Sequence, residues 1–228
     1  YVRIMLQDAE RSRKPIGIHW LQSASLQLTA PFTDQLNAIW RYRLVSVLGL
    51  VLAGVATLWG GTILLGSRAA FMGAALYCAA MLPGVEAMLA KTDSMMVGFT
   101  TLAMAALAHL RMGAARPRLA ALAAWAAFAC GVLVKGPVTA IAVTLTLVAL
   151  VVWERKANWL RPLAWWPGPL LAAAILLPWL IAIGVVTDGR FYTEMLAREL
   201  GPKLTGADHA HGGLPGYHLV FLPFLIFP

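Results

Sequence analysis

Long apolar runs separated by short polar segments dominate the chain. Several runs of about 16–22 residues carry no charged side chain, and about 20 apolar residues cross a bilayer as a helix. The pattern predicts six spanning helices, with approximate bounds 44–65, 69–85, 94–110, 119–134, 137–153 and 165–186. The domain organisation follows: a first loop at 1–43, the six spans within 44–186, a second long loop at 187–215, and the start of a further span at 216–228.

The segment 86–93 interrupts what would otherwise be one apolar run from Ala69 to Leu110. Charged side chains are costly to expose to lipid, and the segment contains three of them. The preceding Pro83-Gly84 pair weakens a helix. We therefore expect the chain to leave the bilayer here and turn back.

The two long loops each carry an amphipathic stretch. Residues 16–26 predict a helix in the membrane interface, anchored by Trp20 and stopped by Pro31, with Thr33 or Asp34 capping the next helix. Residues 191–200 predict a second interfacial helix, with Asp188 as its cap.

Charge is distributed unequally between the two sets of loops. The loops around residues 67–68, 111–118 and 154–161 hold seven basic residues and one acid, Glu154, whereas the other set holds the remaining nine acids. Short basic loops lie in the cytoplasm by the positive-inside rule. The other set is then extracytoplasmic, facing the periplasm of a bacterial inner membrane.

Composition agrees with a membrane protein and excludes a soluble domain. The 228 residues are 60% hydrophobic and 12% charged, with a mean hydropathy of +0.74. The net charge of +8 is explained by basic cytoplasmic loops, so nucleic acid is not an expected partner. The fold class is an all-α polytopic membrane protein. Because Tyr1 is not a Met and the chain ends within an apolar run, we expect a longer protein with a preceding anchor and a C-terminal remainder.

The extracytoplasmic set of loops carries the candidate chemistry. Cations at the membrane surface suit a phosphate whose lipid tail stays in the bilayer, and neighbouring carboxylates suit an acceptor that must lose a proton. The pattern indicates group transfer from a polyprenyl-phosphate carrier. The candidate residues are Lys14, Glu86, Lys91, Asp93, Lys135, Glu194, Arg198, Lys203 and His211.

Four motifs resemble a known family. They are KPIGIHWLQ at 14–22, EAMLAKTD at 86–93, VKGP at 134–137 and EMLAR at 194–198. In this order they resemble the dolichyl-phosphate-mannose-protein mannosyltransferase-like enzymes, a superfamily that includes the lipid A aminoarabinose transferases and has the GT-C fold. The resemblance covers nearly the whole chain.

The resemblance implies an inverting glycosyltransferase that moves a sugar from a polyprenyl phosphate to a lipid or protein acceptor. The family's principal base is an Asp that we expect upstream of Tyr1. Asp93 would then be the second functional carboxylate, orienting the acceptor or assisting its deprotonation. Lys14 and Arg198 would stabilise the leaving phosphate.

The resemblance does not carry over the metal site of some lipid A-type members. Those members have an acid before the Lys-Pro pair and a His after the Glu of the later loop, where this chain has Arg13 and Met195. No metal or cofactor is therefore assigned, although His209 and His211 could supply a different divalent-metal site.

Each candidate also has a structural interpretation. Asp93 could cap the helix that starts at Ser94, Lys135-Gly136 could be a plain turn, Glu194 and Arg198 could form a surface i,i+4 pair, and His211 could be a loop histidine. At the level of the protein, the alternatives to an enzyme are a multi-pass secondary transporter, which favours charges near the midplane and repeated halves, and a non-catalytic membrane scaffold.

Overall fold

The computed structural model describes residues 2–6, 9–10, 14–195, 197 and 222–223. Within this part, helices form nearly the whole molecule, and the exception is a two-stranded antiparallel hairpin near the N-terminus. The hairpin strands are β1 (Met5–Leu6) and β2 (Ala9–Glu10). The all-α membrane fold class is confirmed.

Nine helices are described. They are α1 (Gly17–Thr29), α2 (Ile39–Leu65), α3 (Ser67–Ala79), α4 (Met81–Ala87), α5 (Asp93–Arg111), α6 (Pro117–Lys135), α7 (Pro137–Glu154), α8 (Pro167–Val186) and α9 (Arg190–Met195). Two short 3-10 segments, Ala30–Phe32 and Asn158–Ala164, precede α2 and α8 respectively.

Five helices, α2, α5, α6, α7 and α8, are long and apolar enough to cross a membrane. The pair α3 and α4 passes the same test only together, and the two are bent by 58°. The molecule therefore has five spans, or six when the bent pair is counted as one, among the described residues.

The expected turn at 86–93 lies between the end of α4 at Ala87 and the start of α5 at Asp93. The sequence did not predict a second break at Ala80, whose backbone is extended, and α4 continues through Pro83-Gly84. Pro83 is the third residue of α4. The amides of the first turn have no partner within a helix, so a proline there removes no bond.

Two predicted caps are wrong. The helix α2 begins at Ile39 with Ala38 as its N-terminal flank, so neither Thr33 nor Asp34 caps it. The Thr33 hydroxyl instead accepts a hydrogen bond from the Gln35 amide within the preceding turn. At α9 the Phe191 amide donates to Thr187 Oγ1, at 3.3 Å, while Asp188 occupies a left-handed backbone conformation in the turn before it.

Small residues allow α2 and α5 to pack closely at the centre of the bundle. A methyl group added at Gly49 would lie 2.5 Å from the Met95 backbone nitrogen. Such contact between helix backbones is typical of membrane bundles, where dispersion rather than water exclusion drives association. The α2–α5 pair forms the frame on which the loops at each end are held.

Contacts between loops divide the bundle into two ends. The ends of α2 and α5 that meet at Ser46 and Ser94 belong to one, which also includes the turn between α6 and α7. We call it the site end. At the other, the basic end, Arg111 pairs with Glu154 and Arg118 stacks over Trp165.

Candidate functional site

Asp93 and Lys135 form an ion pair at the site end. Asp93 is the first residue of α5 and Lys135 is the last residue of α6, and Lys135 Nζ donates to Asp93 Oδ1. The two side chains are 36% and 22% exposed. Asp93 does not cap its own helix, so the capping interpretation is wrong and its carboxylate is directed to another element.

The turn between α6 and α7 places Lys135 against α5. Gly136 has φ of +73°, a left-handed conformation that glycine adopts without a steric penalty. Pro137 then begins α7, where its missing amide is not needed. The local sequence thus makes a tight turn, and the turn also presents a cation.

The helix α1 brings the Lys14 segment to the same turn. Pro15 and Ile16 are buried, and a methyl group at Gly136 would lie 3.6 Å from Pro15 Cγ. At Gly17 an added methyl group would lie 2.6 Å from the Leu133 carbonyl oxygen. Lys14, one residue before this contact, is exposed beside the Lys135–Gly136 turn.

Apolar packing holds α1 in this position. Ile18 lies in a cluster with Val45, Met95 and Val134, which belong to α2, α5 and α6. On the polar surface of α1, desolvation lowers the pKa of His19 below its usual value of 6.5. The ring is therefore neutral at pH 7.

Glu86 and Asp93 line one pocket of about 350 Å³ between the bent α3–α4 pair and α5. The other lining residues are Tyr77, Leu82, Pro83, Ser94 and Val97. Glu86 Oε2 is buried and has no hydrogen-bond partner among the described residues. A buried carboxylate oxygen needs a donor, so this pocket can accept a hydroxyl, an amine or another donor group.

Two serines fix the 86–93 segment to α2. Ser46 Oγ donates to the Leu89 carbonyl at 2.6 Å, and Ser94 Oγ donates to the Ser46 carbonyl at 2.6 Å. Both serines are buried. The segment that carries Glu86 and Asp93 is therefore tied to a spanning helix on either side of Lys91, whose own side chain is exposed.

Sequence reasoning missed the structural role of Arg41, which lies three residues before the first predicted span at 44–65. Arg41 is only 2% exposed, and its guanidinium donates to Thr29 Oγ1 at 2.7 Å, to the Leu36 carbonyl at 2.7 Å and to the Leu26 carbonyl. Ser25 Oγ in turn donates to the Arg41 carbonyl at 2.6 Å. The residue ties α1 to the start of α2. Nothing in the sequence distinguishes Arg41 from Arg43, which is exposed two residues later.

The remaining candidates are less well placed or lie outside the described part. Glu194 is exposed on α9, which packs on α8 through Phe191 and Trp179, with ring centroids 5.2 Å apart. Among the described residues, no group of three or more His, Cys, Asp or Glu side chains could hold a metal ion. The candidates outside the described residues are Arg198, Lys203, His209 and His211.

A protein-family model for the dolichyl-phosphate-mannose-protein mannosyltransferases matches residues 24–190. The chain belongs to this family. The match covers α2 to α8 and includes Glu86, Asp93 and Lys135. The family resemblance inferred from the four motifs is confirmed, and it does not favour the transporter alternative.

Two solved structures have the same fold. Both are ArnT from Cupriavidus metallidurans, one in the apo state and one bound to undecaprenyl phosphate. Their TM-scores to this chain are 0.83 and 0.82, at 21% and 22% sequence identity. Each comparison covers 99% of this chain and 40% of ArnT, so the chain spans less than half the length of the structures it matches.

No curated protein matches the chain significantly. At identities near 20%, the structural likeness establishes the GT-C membrane fold and no more. Family membership rests on the family model, and the roles of individual residues rest on their geometry.

Proposed function

We propose that the chain is part of an integral-membrane glycosyltransferase that transfers a sugar from a polyprenyl-phosphate donor to a lipid or protein acceptor. The observation that carries this proposal is the Asp93–Lys135 ion pair, which lies beside the Lys14 segment and on the edge of the Glu86 pocket. At this one end of the membrane bundle lie a paired carboxylate, Asp93, an unpartnered carboxylate oxygen of Glu86, and the exposed cation Lys14. ArnT, which has the same fold, is bound to undecaprenyl phosphate in one of its structures.

The proposed reaction is an inverting substitution at the anomeric carbon. The acceptor oxygen or nitrogen forms a bond to that carbon as the bond to the donor phosphate oxygen breaks. The leaving group is the polyprenyl phosphate, and the acceptor proton passes to a carboxylate base. The transition state has oxocarbenium character, as in other glycosyl transfers.

Asp93 orients the acceptor in this proposal or assists its deprotonation. Lys135 holds the carboxylate toward α6, which limits the rotamers of Asp93 and directs its second oxygen elsewhere. Glu86, with one oxygen unpartnered in the shared pocket, supplies a second acceptor contact. The two carboxylates thus place a donor group between α4 and α5.

Lys14 stabilises the developing charge on the donor phosphate, with Arg198 as a second cation for the same purpose. The position of Lys14 supports this role, because Lys14 is exposed beside the Lys135–Gly136 turn. Cations aimed at a leaving phosphate lower the barrier more than they strengthen ground-state binding. Lys91, Glu194, Lys203 and His211 remain secondary candidates at this surface.

The site end faces the extracytoplasmic side, in a bacterial inner membrane the periplasm. The basic end carries Arg68, Arg111, Arg116, Arg118, Arg155, Lys156 and Arg161. Such a concentration in short loops marks the cytoplasmic side. The lipid-linked donor then presents its sugar at the outer leaflet.

The proposal is tested with the full-length protein in proteoliposomes that contain a polyprenyl-phosphate sugar. Membrane lipids and glycoproteins of a deletion strain, compared by mass spectrometry with the parent, identify the acceptor to supply. Asp93→Asn is expected to lower transfer by about 10²-fold or more, the range for losing an acid–base group. Asp34→Asn is the matched control, since Asp34 is an exposed acid outside the pocket. Equal transfer by wild type and Asp93→Asn would remove Asp93 from the site.

A further inference from the structure

The basic end carries a second pocket, which no step of glycosyl transfer uses. It has a volume of about 450 Å³ and lies between α2, the end of α5 and the start of α6. Arg116 and His109 supply its polar lining, Trp59 and Leu119 lie on its apolar walls, and the other lining residues are alanines. This second pocket lies at the other end of α2 and α5 from the pocket lined by Glu86 and Asp93.

Arg116 has no carboxylate partner among the described residues. Glu154 is the one acid in the loops of this end, and Arg111 holds it through a 2.6 Å hydrogen bond from Nε to Oε1. Arg118 stacks over the Trp165 ring at 5.2 Å. Arg116 is exposed at the mouth of the pocket, so its guanidinium is available to an anionic ligand.

The histidine in the pocket wall is held rigidly. His109 Nε2 lies 3.1 Å from the Trp59 carbonyl oxygen, and the two rings stack with centroids 4.4 Å apart. A carbonyl oxygen only accepts, so Nε2 carries the proton and Nδ1 is left for another group. The pocket thus offers a cation and a fixed ring nitrogen above an apolar floor.

We propose that this pocket binds the phosphate headgroup of an anionic membrane lipid in the leaflet of the basic end. The Arg116 guanidinium pairs with the phosphate, and the walls formed by Trp59, Leu119 and the alanines contact the glycerol and the first methylenes. A lipid fits better than a free anion for two reasons. The pocket is lined both by residues of the loop between α5 and α6 and by residues of spanning helices, so it lies where a lipid headgroup meets its tails. Leu119, on the apolar wall, is 55% exposed and can contact a lipid tail.

The partner chemistry is that of a phosphodiester lipid such as phosphatidylglycerol. Basic residues near a membrane surface attract such lipids, and each contributes enough to change affinity about fivefold. A site that adds contacts to this general attraction retains lipid through purification. The inference does not depend on the glycosyltransferase proposal, because it concerns other residues at the other end.

The experiment uses the full-length protein in phosphatidylcholine nanodiscs that contain increasing fractions of phosphatidylglycerol. Native mass spectrometry after release counts the phosphatidylglycerol molecules retained. Wild type is expected to retain at least one molecule, and Arg116→Gln to need about fivefold more phosphatidylglycerol for the same occupancy. Arg68→Gln is the matched control, an exposed arginine at the same end outside the pocket, and is expected to behave as wild type.

A second variant tests the pocket without changing charge. Ala115 lines the pocket and is exposed, so Ala115→Phe fills the mouth without disturbing the core, and is expected to lower retention as Arg116→Gln does. Equal retention by wild type and Arg116→Gln would overturn the proposal, and so would equal losses in Arg116→Gln and Arg68→Gln. Displacement of the lipid by millimolar inorganic phosphate would overturn the lipid assignment in favour of a free anion.

Discussion

At the scale of the residue, the most informative atom is Glu86 Oε2. It is buried without a hydrogen-bond partner among the described residues, and such atoms lower stability unless a ligand satisfies them. Asp93, in the same pocket, has Lys135 as a partner. The two carboxylates of this pocket therefore differ: Glu86 needs a hydrogen-bond donor from a ligand, whereas Asp93 already has one from Lys135.

Glu86→Gln is expected to separate function from stability. Removing an unpartnered charge leaves the melting temperature unchanged or raises it, while loss of the acceptor contact raises the KM for the acceptor by about tenfold. Differential scanning fluorimetry and initial rates measure the two effects. A lower melting temperature with unchanged kinetics would assign Glu86 a purely structural role.

The Asp93–Lys135 ion pair gives a prediction about kcat, whereas the Glu86 prediction concerns KM. Lys135→Met leaves Asp93 without its partner, and we expect transfer to fall mainly through kcat, since the carboxylate keeps its charge but loses its orientation. Lys156→Met is the control, because Lys156 is an exposed lysine at the basic end, away from the site. If Lys135→Met and Lys156→Met have equal rates, the pair does not position Asp93.

At the scale of the element, α1 is the part whose position decides the site. The helix is short, and it is held by the contact of Gly17 with the Leu133 carbonyl and by the hydrogen bonds from Arg41. Amphipathicity predicted a helix at 16–26, and α1 runs over Gly17–Thr29. The pattern could not show which spanning helices it packs against.

Gly17→Val is expected to displace α1 from α6. The added side chain would overlap the Leu133 backbone, and overpacking of this kind costs about 1–3 kcal/mol. Since Lys14 lies three residues before α1, the KM for the donor should rise together with the loss of stability. Gly73→Val is the control, because an added methyl group there meets nothing within 4 Å; a Gly17→Val protein with wild-type donor kinetics would show that α1 does not position Lys14.

The bend between α3 and α4 belongs to the same scale. Pro83-Gly84 predicted a weakened helix before the turn at 86–93, but α4 runs through both residues and the additional break lies at Ala80. A proline early in a helix is compatible with that helix, so the residue alone does not distinguish a start from an end. The bend places α4 beside α5, and the pocket that holds Glu86 and Asp93 forms between them.

At the scale of the whole molecule, the alternation of spans places the loops at two ends. The Asp93–Lys135 pair and the Arg111–Glu154 pair each join loops that the alternation had assigned to one side. The short loops of the basic end hold seven basic residues, which agrees with the positive-inside rule for a cytoplasmic end. Which end faces the cytoplasm can be measured directly.

Cysteine labelling measures this sidedness in a full-length protein in which Cys78 and Cys130 are replaced. Lys14→Cys is expected to react with a membrane-impermeant maleimide in intact cells, whereas Arg161→Cys is expected to react only after the membrane is permeabilised. Both residues are exposed. Reaction of both positions in intact cells, or the reverse pattern, would contradict the proposed orientation.

The sequence by itself determined the class of the molecule, five of its six predicted spanning segments to within five residues, and the family. Apolar runs near the thickness of a bilayer have few alternatives to a helix, because backbone groups in lipid must bond within their own segment. The tertiary structure alone decided that Asp93 pairs with Lys135, that Glu86 shares its pocket, and that Arg41 is buried and joins α1 to α2. These depend on which helices are neighbours, and periodicity along one helix carries no information about the residues it meets 40 or more positions away.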